Sequence, residues 1–150
     1  TIRHLLAHAS GLPFEGDQVL ARPGTRRIYS NAGFDLLGTL LADRSGRPLA
    51  VALSDRVMAP LGMADTELVG RPSEGLRGPL SDAARFAQEL LRPTLLGEGT
   101  AKAARTVQFM GLKGVLPGVG TFDPLDWGLG FELRGGKRPH WTGTTNSTVR

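Results

Sequence analysis

Tyr29-Ser30-Asn31 sets a phenol and a carboxamide two residues apart. A phenol can carry a proton to or from a reacting group, and an amide can hold a substrate carbonyl or amide. That chemistry has two conditions. A tyrosine with an ordinary pKa near about 10 is a poor base at neutral pH, so it needs a cation to stabilise its phenolate. It also needs a nucleophile to serve. None of the serines (10, 30, 45, 54, 73, 81 and 147) has Lys three positions on, and there is no Gly-x-Ser-x-Gly. His4 and His8 stand at i, i+4, a spacing that can bind a metal. Leu5 lies where a metalloprotease motif has Glu and no acidic third ligand follows, so a structural role in the helix and the following loop is expected. No metal and no cofactor is expected. The glycines form no phosphate loop, because no Gly-Lys-Ser/Thr follows them. Asn146-Ser147-Thr148 is formally a glycosylation sequon and is read as chance.

The elements around Tyr29 follow from caps and periodicity. Thr1 is placed to cap a first helix, with Ile2, Leu5, Leu6 and Ala9 on one face and Ser10-Gly11-Leu12-Pro13 ending it. Arg22-Pro23-Gly24-Thr25 reads as a turn leading to Ile28-Tyr29-Ser30. Asn31 or Ser30 caps the next helix, with Asp35 in its first turn. Leucines cover most of that helix's circumference, so it is expected to be buried. Ser45-Gly46 stops it, Pro48 starts another that ends at Pro60, and residues 64–80 read as a connecting loop. Ser81 caps an amphipathic helix with the stripe Ala83, Phe86, Ala87, Leu90 and Leu91, and a weaker helix spans Thr100 to Gln108. Residues 111–126 read as a long loop. Trp127, Leu129, Phe131 and Leu133 alternate as in a half-buried strand, which Gly135-Gly136 turns into a hairpin with Arg138 to Thr142. The fold class is mainly α with a C-terminal β-hairpin.

Composition narrows the partners. The chain has 150 residues, 40% hydrophobic and 21% charged, and a length that suits one domain of ordinary size. The net charge of +4 is scattered, with clusters no larger than Arg26-Arg27 and Lys137-Arg138, which disfavours nucleic-acid binding. No run of about 18 apolar residues encodes a transmembrane segment. With no Cys there is neither a disulfide framework nor thiolate chemistry. Either a cytoplasmic or a secreted setting is compatible.

Several segments in order resemble one family. These are Arg3-His4-Leu5-Leu6-x-His8-x-Ser10-Gly11-Leu12, Pro23-Gly24 and Tyr29-Ser30-Asn31-Ala32-Gly33-Phe34. Then come Leu36-Leu37-Gly38, the Ser45-Gly46 break, Pro60-Leu61-Gly62-Met63-x-Asp65-Thr66 and Trp127-Gly128-Leu129-Gly130-Phe131. Together they resemble the serine β-lactamase and penicillin-binding-protein-like family, especially its class C and esterase branch. The resemblance implies an incomplete α/β fold of that family, a helical domain plus part of the antiparallel sheet. It implies one partial domain over 1–150, helical over about 1–110, with loop and hairpin over about 111–145.

The resemblance also implies acyl transfer through the serine of a Ser-x-x-Lys segment that lies upstream in the family. Tyr29 would be the catalytic proton-transfer residue and Asn31 a substrate-positioning one. His140-Trp141-Thr142-Gly143 resembles the family's third motif, which would make His140, Thr142 and Gly143 substrate-binding. It also resembles a hairpin segment that precedes the true motif in some members, and the two readings stay open. The substrate would be a small molecule or peptide with an ester, amide or β-lactam bond. The segment alone is expected to be inactive and to expose apolar surface. The alternatives are a non-catalytic binding protein of peptide or cell-wall ligands with the same ancestry, and an unrelated helical interaction domain. Substrate, compartment and oligomeric state are not encoded in these features.

Overall fold

Thr1 caps the first helix as its residue type predicts, its hydroxyl accepting from the His4 backbone N–H at 3.4 Å. In the computed structural model, which describes residues 1–133, that helix, α1 (Ile2–Leu6), is short. It ends earlier than its apolar spacing suggests, because His8 takes a left-handed conformation, φ 52°. The reversal that the sequence placed at Gly11 therefore begins at His8. Leu5, Ala7, His8 and Ala9 are buried while Ile2 is 54% exposed. The chain dives into the interior instead of continuing along a surface helix.

The described chain divides into two compact units. The first is Thr1–Gly33 with the chain from Gly99 onward, and the second is Phe34–Glu98. In the first unit, β1 (Arg27–Ile28) pairs in parallel with β4 (Gly114–Leu116), and β4 pairs antiparallel with β5 (Gly120–Phe122). The strand order is β1-β4-β5, with Ile28 opposite Val115 and Val115 opposite Thr121. The hairpin β4–β5 lies inside the stretch read above as a long loop. Its tip is Leu116-Pro117-Gly118-Val119, closed by Val119 N–H to the Leu116 carbonyl at 3.0 Å. Proline fixes the first central position and Gly118, φ 72°, supplies the second, the signature of a type II turn.

The expected strand over 127–133 is a second correction. Trp127 bridges Glu132, Gly128 N–H donates to the Phe131 carbonyl at 2.8 Å, and Leu133 N–H donates to the Asp126 carbonyl at 2.9 Å. The segment folds back on itself. A Cβ at Gly128 would lie 1.9 Å from the Ala104 carbonyl oxygen. Gly128 thus marks the close approach of this loop to the end of α5 (Glu98–Ala104). The partner strand expected at Arg138 to Thr142 falls outside the described residues. The core of this unit is Leu116, Leu125 and Trp127, with Tyr29 and Phe122 packed against it.

The second unit carries most of α2 (Asn31–Ser45), then α3 (Leu49–Leu53), which runs into a π-helical turn, Ser54–Met58. A two-stranded ribbon follows, β2 (Glu67–Leu68) antiparallel to β3 (Leu76–Arg77), in the stretch read as a connecting loop. Then comes α4 (Leu80–Leu91). α2 is not buried all round: Leu36, Leu40 and Leu41 are exposed at 43%, 37% and 40%. Asp35 lies beyond the first turn of α2, where its carboxylate accepts from Arg71 Nε at 2.8 Å and from Ser73 N–H at 3.1 Å.

α4 starts at Leu80 with Pro79 before it, so Ser81 is inside the helix and caps nothing. Its buried residues are Asp82 and Glu89, while Phe86 and Leu91 are exposed. Asp82 accepts from Asp65 N–H at 3.1 Å and from the Thr66 hydroxyl at 2.9 Å; Glu89 accepts from Thr94 and Leu95 N–H. Each carboxylate satisfies the backbone of a loop, which is why these charged residues are inside. No helix among the described residues is long and apolar enough to cross a membrane.

Candidate active site

Tyr29 sits at the junction of a strand and a helix. Its N–H donates to the Val115 carbonyl at 3.2 Å, which extends the β1–β4 ladder by one bond. Ser30 then ends the strand and starts α2. Its hydroxyl accepts from Gly33 N–H at 2.9 Å and donates to the Pro13 carbonyl at 2.6 Å. Of the two caps considered, Ser30 is the one used, and its hydroxyl is fully engaged in that role. Asn31 is the first helical residue. Its side-chain Nδ2 donates to Glu15 Oε1 at 2.9 Å.

The Tyr29 ring is held by aromatic neighbours. It stacks on His8, with ring centroids 4.5 Å apart at 28°, and meets Trp127 edge-on at 5.9 Å. Phe14, half-exposed, lies 6.0 Å away. His8 itself meets Trp127 edge-on at 4.6 Å. Such offset and T-shaped contacts are the preferred geometries of aromatic pairs. Loop 13–15 is tied to the start of α2: the Phe14 carbonyl accepts from Asn31 N–H at 3.0 Å and Ala32 N–H at 3.2 Å.

His8 is 3% exposed, and burial first, then the nearby Arg27 charge, pushes its pKa down to about 3. The ring is neutral at physiological pH. Its Nδ1 accepts from Ser30 N–H at 3.0 Å, so the ring proton is on Nε2. His4 does not join it as a metal pair. The helix has ended between them, and the His4 ring stacks on Phe109 at 4.4 Å. The described residues contain no group of three or more His, Asp or Glu that could hold a metal ion.

Arg27 is the residue that sequence reasoning missed. It belongs to a pair read only as a weak basic cluster, yet it is fully buried. Its Nε donates to the Leu125 carbonyl at 2.5 Å and one terminal nitrogen to the Ala7 carbonyl. The other terminal nitrogen reaches the carbonyls of Gln108 at 2.7 Å and Phe109 at 3.2 Å. Burial lowers its pKa to about 10, a shift that the charge of Asp126 opposes, and it remains a cation at neutral pH. One side chain thus gathers the end of α1, the loop after α5 and the loop before Trp127 around the strand that delivers Tyr29. No local signal separates it from the neighbouring Arg26, which is exposed.

Of the site residues expected from sequence, the structure brings Tyr29 and Asn31 together at one strand–helix junction. His140, Thr142 and Gly143 lie outside the described residues. Phe14, Glu15, His8 and Trp127 join the first two. The family model for beta-lactamase matches residues 1–150.

The chain belongs to the beta-lactamase family. A beta-lactamase from Mycobacterium bovis of known crystal structure is 52% identical, superposes with a TM-score of 0.88, and is matched over 99% of this chain and 56% of its own. A curated D-aminopeptidase from Brucella anthropi is 30% identical over 85% of this chain, which spans 30% of that protein. The D-alanyl-D-alanine-carboxypeptidase/endopeptidase AmpH of Escherichia coli is 41% identical over 54 residues, 36% of this chain and 14% of its own length. The crystal structure of the D-amino acid amidase of Ochrobactrum anthropi, 22% identical with a TM-score of 0.62, covers 91% of this beta-lactamase-family chain and shares its fold. The chain spans less than a third of the two curated relatives and just over half of each of the two solved structures.

Proposed function

We propose that the protein carrying this segment is a serine hydrolase that works through an acyl-enzyme, with Tyr29 as its proton-transfer residue and Asn31 positioning the substrate. The observation that supports this most is the tyrosine itself. Its backbone is pinned by the sheet on one side and a helix cap on the other, and its ring is packed by His8 and Trp127. Such fixed placement is what a proton carrier needs. In the proposed reaction the nucleophilic serine of a Ser-x-x-Lys segment outside residues 1–150 gives its proton to Tyr29 as it attacks the carbonyl carbon. Tyr29 then gives that proton to the departing amine or alkoxide as the scissile bond breaks, and water releases the acyl group. The lysine of that segment supplies the cation that makes a phenolate accessible. His140, Thr142 and Gly143 are the proposed third-motif contacts to the substrate.

The curated names D-aminopeptidase and D-alanyl-D-alanine-carboxypeptidase support an amide bond beside a D-residue as the first substrate class. Esters and β-lactams remain alternatives, because the fold alone does not choose among them. The test is to label the whole protein with a serine-reactive phosphonate and to assay D-aminoacyl amides, a short-chain ester and a chromogenic β-lactam. Covalent labelling with turnover of one class supports the proposal. No labelled serine and no turnover favour the second reading, a non-catalytic binding protein.

A further inference from the structure

His8 holds Tyr29 and its two chain neighbours by three contacts. Its carbonyl accepts from Ile28 N–H at 2.9 Å, just before the tyrosine. Its Nδ1 accepts from Ser30 N–H at 3.0 Å, just after it. Its ring lies against the phenol at 4.5 Å. To do this it adopts a left-handed backbone, which costs most L-residues about 1 kcal/mol and in which His is enriched. It also buries a polar ring beside a buried arginine. A residue needed only to fill the core would be met more cheaply by an apolar side chain with an ordinary φ.

We propose that His8 is the positioning residue of Tyr29: it grips the backbone on both sides of the tyrosine and backs one face of its ring, so that the phenol oxygen is held at one depth and angle. This rests on the proton-transfer role proposed for Tyr29. His8 does not exchange a proton in the reaction. It acts through Tyr29, and misplacement by about 1 Å is enough to cost about 10²-fold in rate.

Two substitutions separate the parts of the grip. His8→Asn keeps a side-chain acceptor near the Nδ1 position and tolerates the left-handed backbone, but removes the stack. His8→Phe keeps the stack and orphans Ser30 N–H. In the whole protein, kcat is measured per phosphonate-reactive site, so that misfolded molecules do not count. The expected result is a kcat about 10²-fold lower in His8→Phe with KM within about 3-fold, and partial rescue in His8→Asn. Unchanged kcat per site in His8→Phe, or a change in KM alone, overturns the proposal.

Tyr29 is the only tyrosine among residues 1–150, and in the whole protein its ring proton resonances are identified by their loss in Tyr29→Phe. They are expected to lie upfield in the parent protein and to move toward their free positions in His8→Asn. If they do not move, the stack is not what holds the ring and the proposal fails. If Tyr29→Phe is itself fully active, the functional reading fails, while the resonance shift still decides whether His8 positions the ring.

Discussion

Both units bury charged residues, but for different ends. In the second unit Asp82 and Glu89 each close a local loop within about 17 residues of themselves, and no reactive group is gathered around them. In the first unit Arg27 and His8 join segments far apart in sequence, and His8 stacks on the Tyr29 ring. The buried Arg27 cation is tolerated there because four backbone carbonyls surround it and the charge of Asp126 favours it. The difference teaches where burial signals function. Local carboxylate clamps hold loops, whereas the long-range polar contacts of Arg27 and His8 fix the backbone of the strand and turn that carry Tyr29.

The largest expected effect breaks the first unit at its hub. Arg27→Met removes the partner those four carbonyls share, and a loss of about 3–5 kcal/mol is expected, read as a lowered urea midpoint. The Tyr29 ring resonances should lose their dispersion with it. A midpoint within error of the parent would make Arg27 an ordinary core residue.

Acid should separate the units next. His8 is held down to about 3 in the folded protein against an ordinary value near 6.5. Between those pH values the unfolded chain binds a proton that the folded chain refuses. The contribution of His8 is therefore fully present above about pH 6.5 and is lost as pH falls toward 3. The linked free energy is on the order of 4 kcal/mol. Urea denaturation of the parent and of His8→Asn across this window checks the sign and the size: the variant's stability should depend less on pH.

Smaller effects belong to the second unit. Asp82→Ala leaves Asp65 N–H and the Thr66 hydroxyl without their acceptor, with an expected loss of about 1–2 kcal/mol and no change in the Tyr29 resonances. Coupled loss of both would dissolve the contrast. The smallest effect is at the surface pair Arg47–Asp55, whose side chains are 53% and 50% exposed. Arg47→Ala should move the thermal midpoint by no more than about 0.5 kcal/mol corresponds to.

The sequence carried the helices well where a cap or a breaker marked them. Thr1, the Ser30–Asn31 start and the Ser45 end of α2 stand where their chemistry predicts, while Pro48 sits one residue before α3 and not at its first helical position. It failed where alternation was mistaken for a strand. Of the glycines in Trp127 to Leu133, Gly128 is required by the nearby Ala104 carbonyl, and a glycine present for close approach looks the same in sequence as one on a solvent face. The true hairpin was signalled by Pro117-Gly118, but its strands are only three residues each, too short to show a period. Tyr29 and Asn31 were legible as a pair. Arg27 and the grip of His8 were not, since their partners are up to 98 residues away and nothing local distinguishes a buried arginine from a surface one.

The account stands on Tyr29 moving a proton. The direct measurement is the single-turnover acylation rate of the whole protein and its Tyr29→Phe variant, followed with a chromogenic ester or a D-aminoacyl anilide. The account predicts a fall of about 10²–10⁴-fold in acylation with KM little changed, since the phenol acts only as the bond is made and broken. An acylation rate within about 2-fold of the parent would contradict it and leave Tyr29 as a packed ring beside a helix cap.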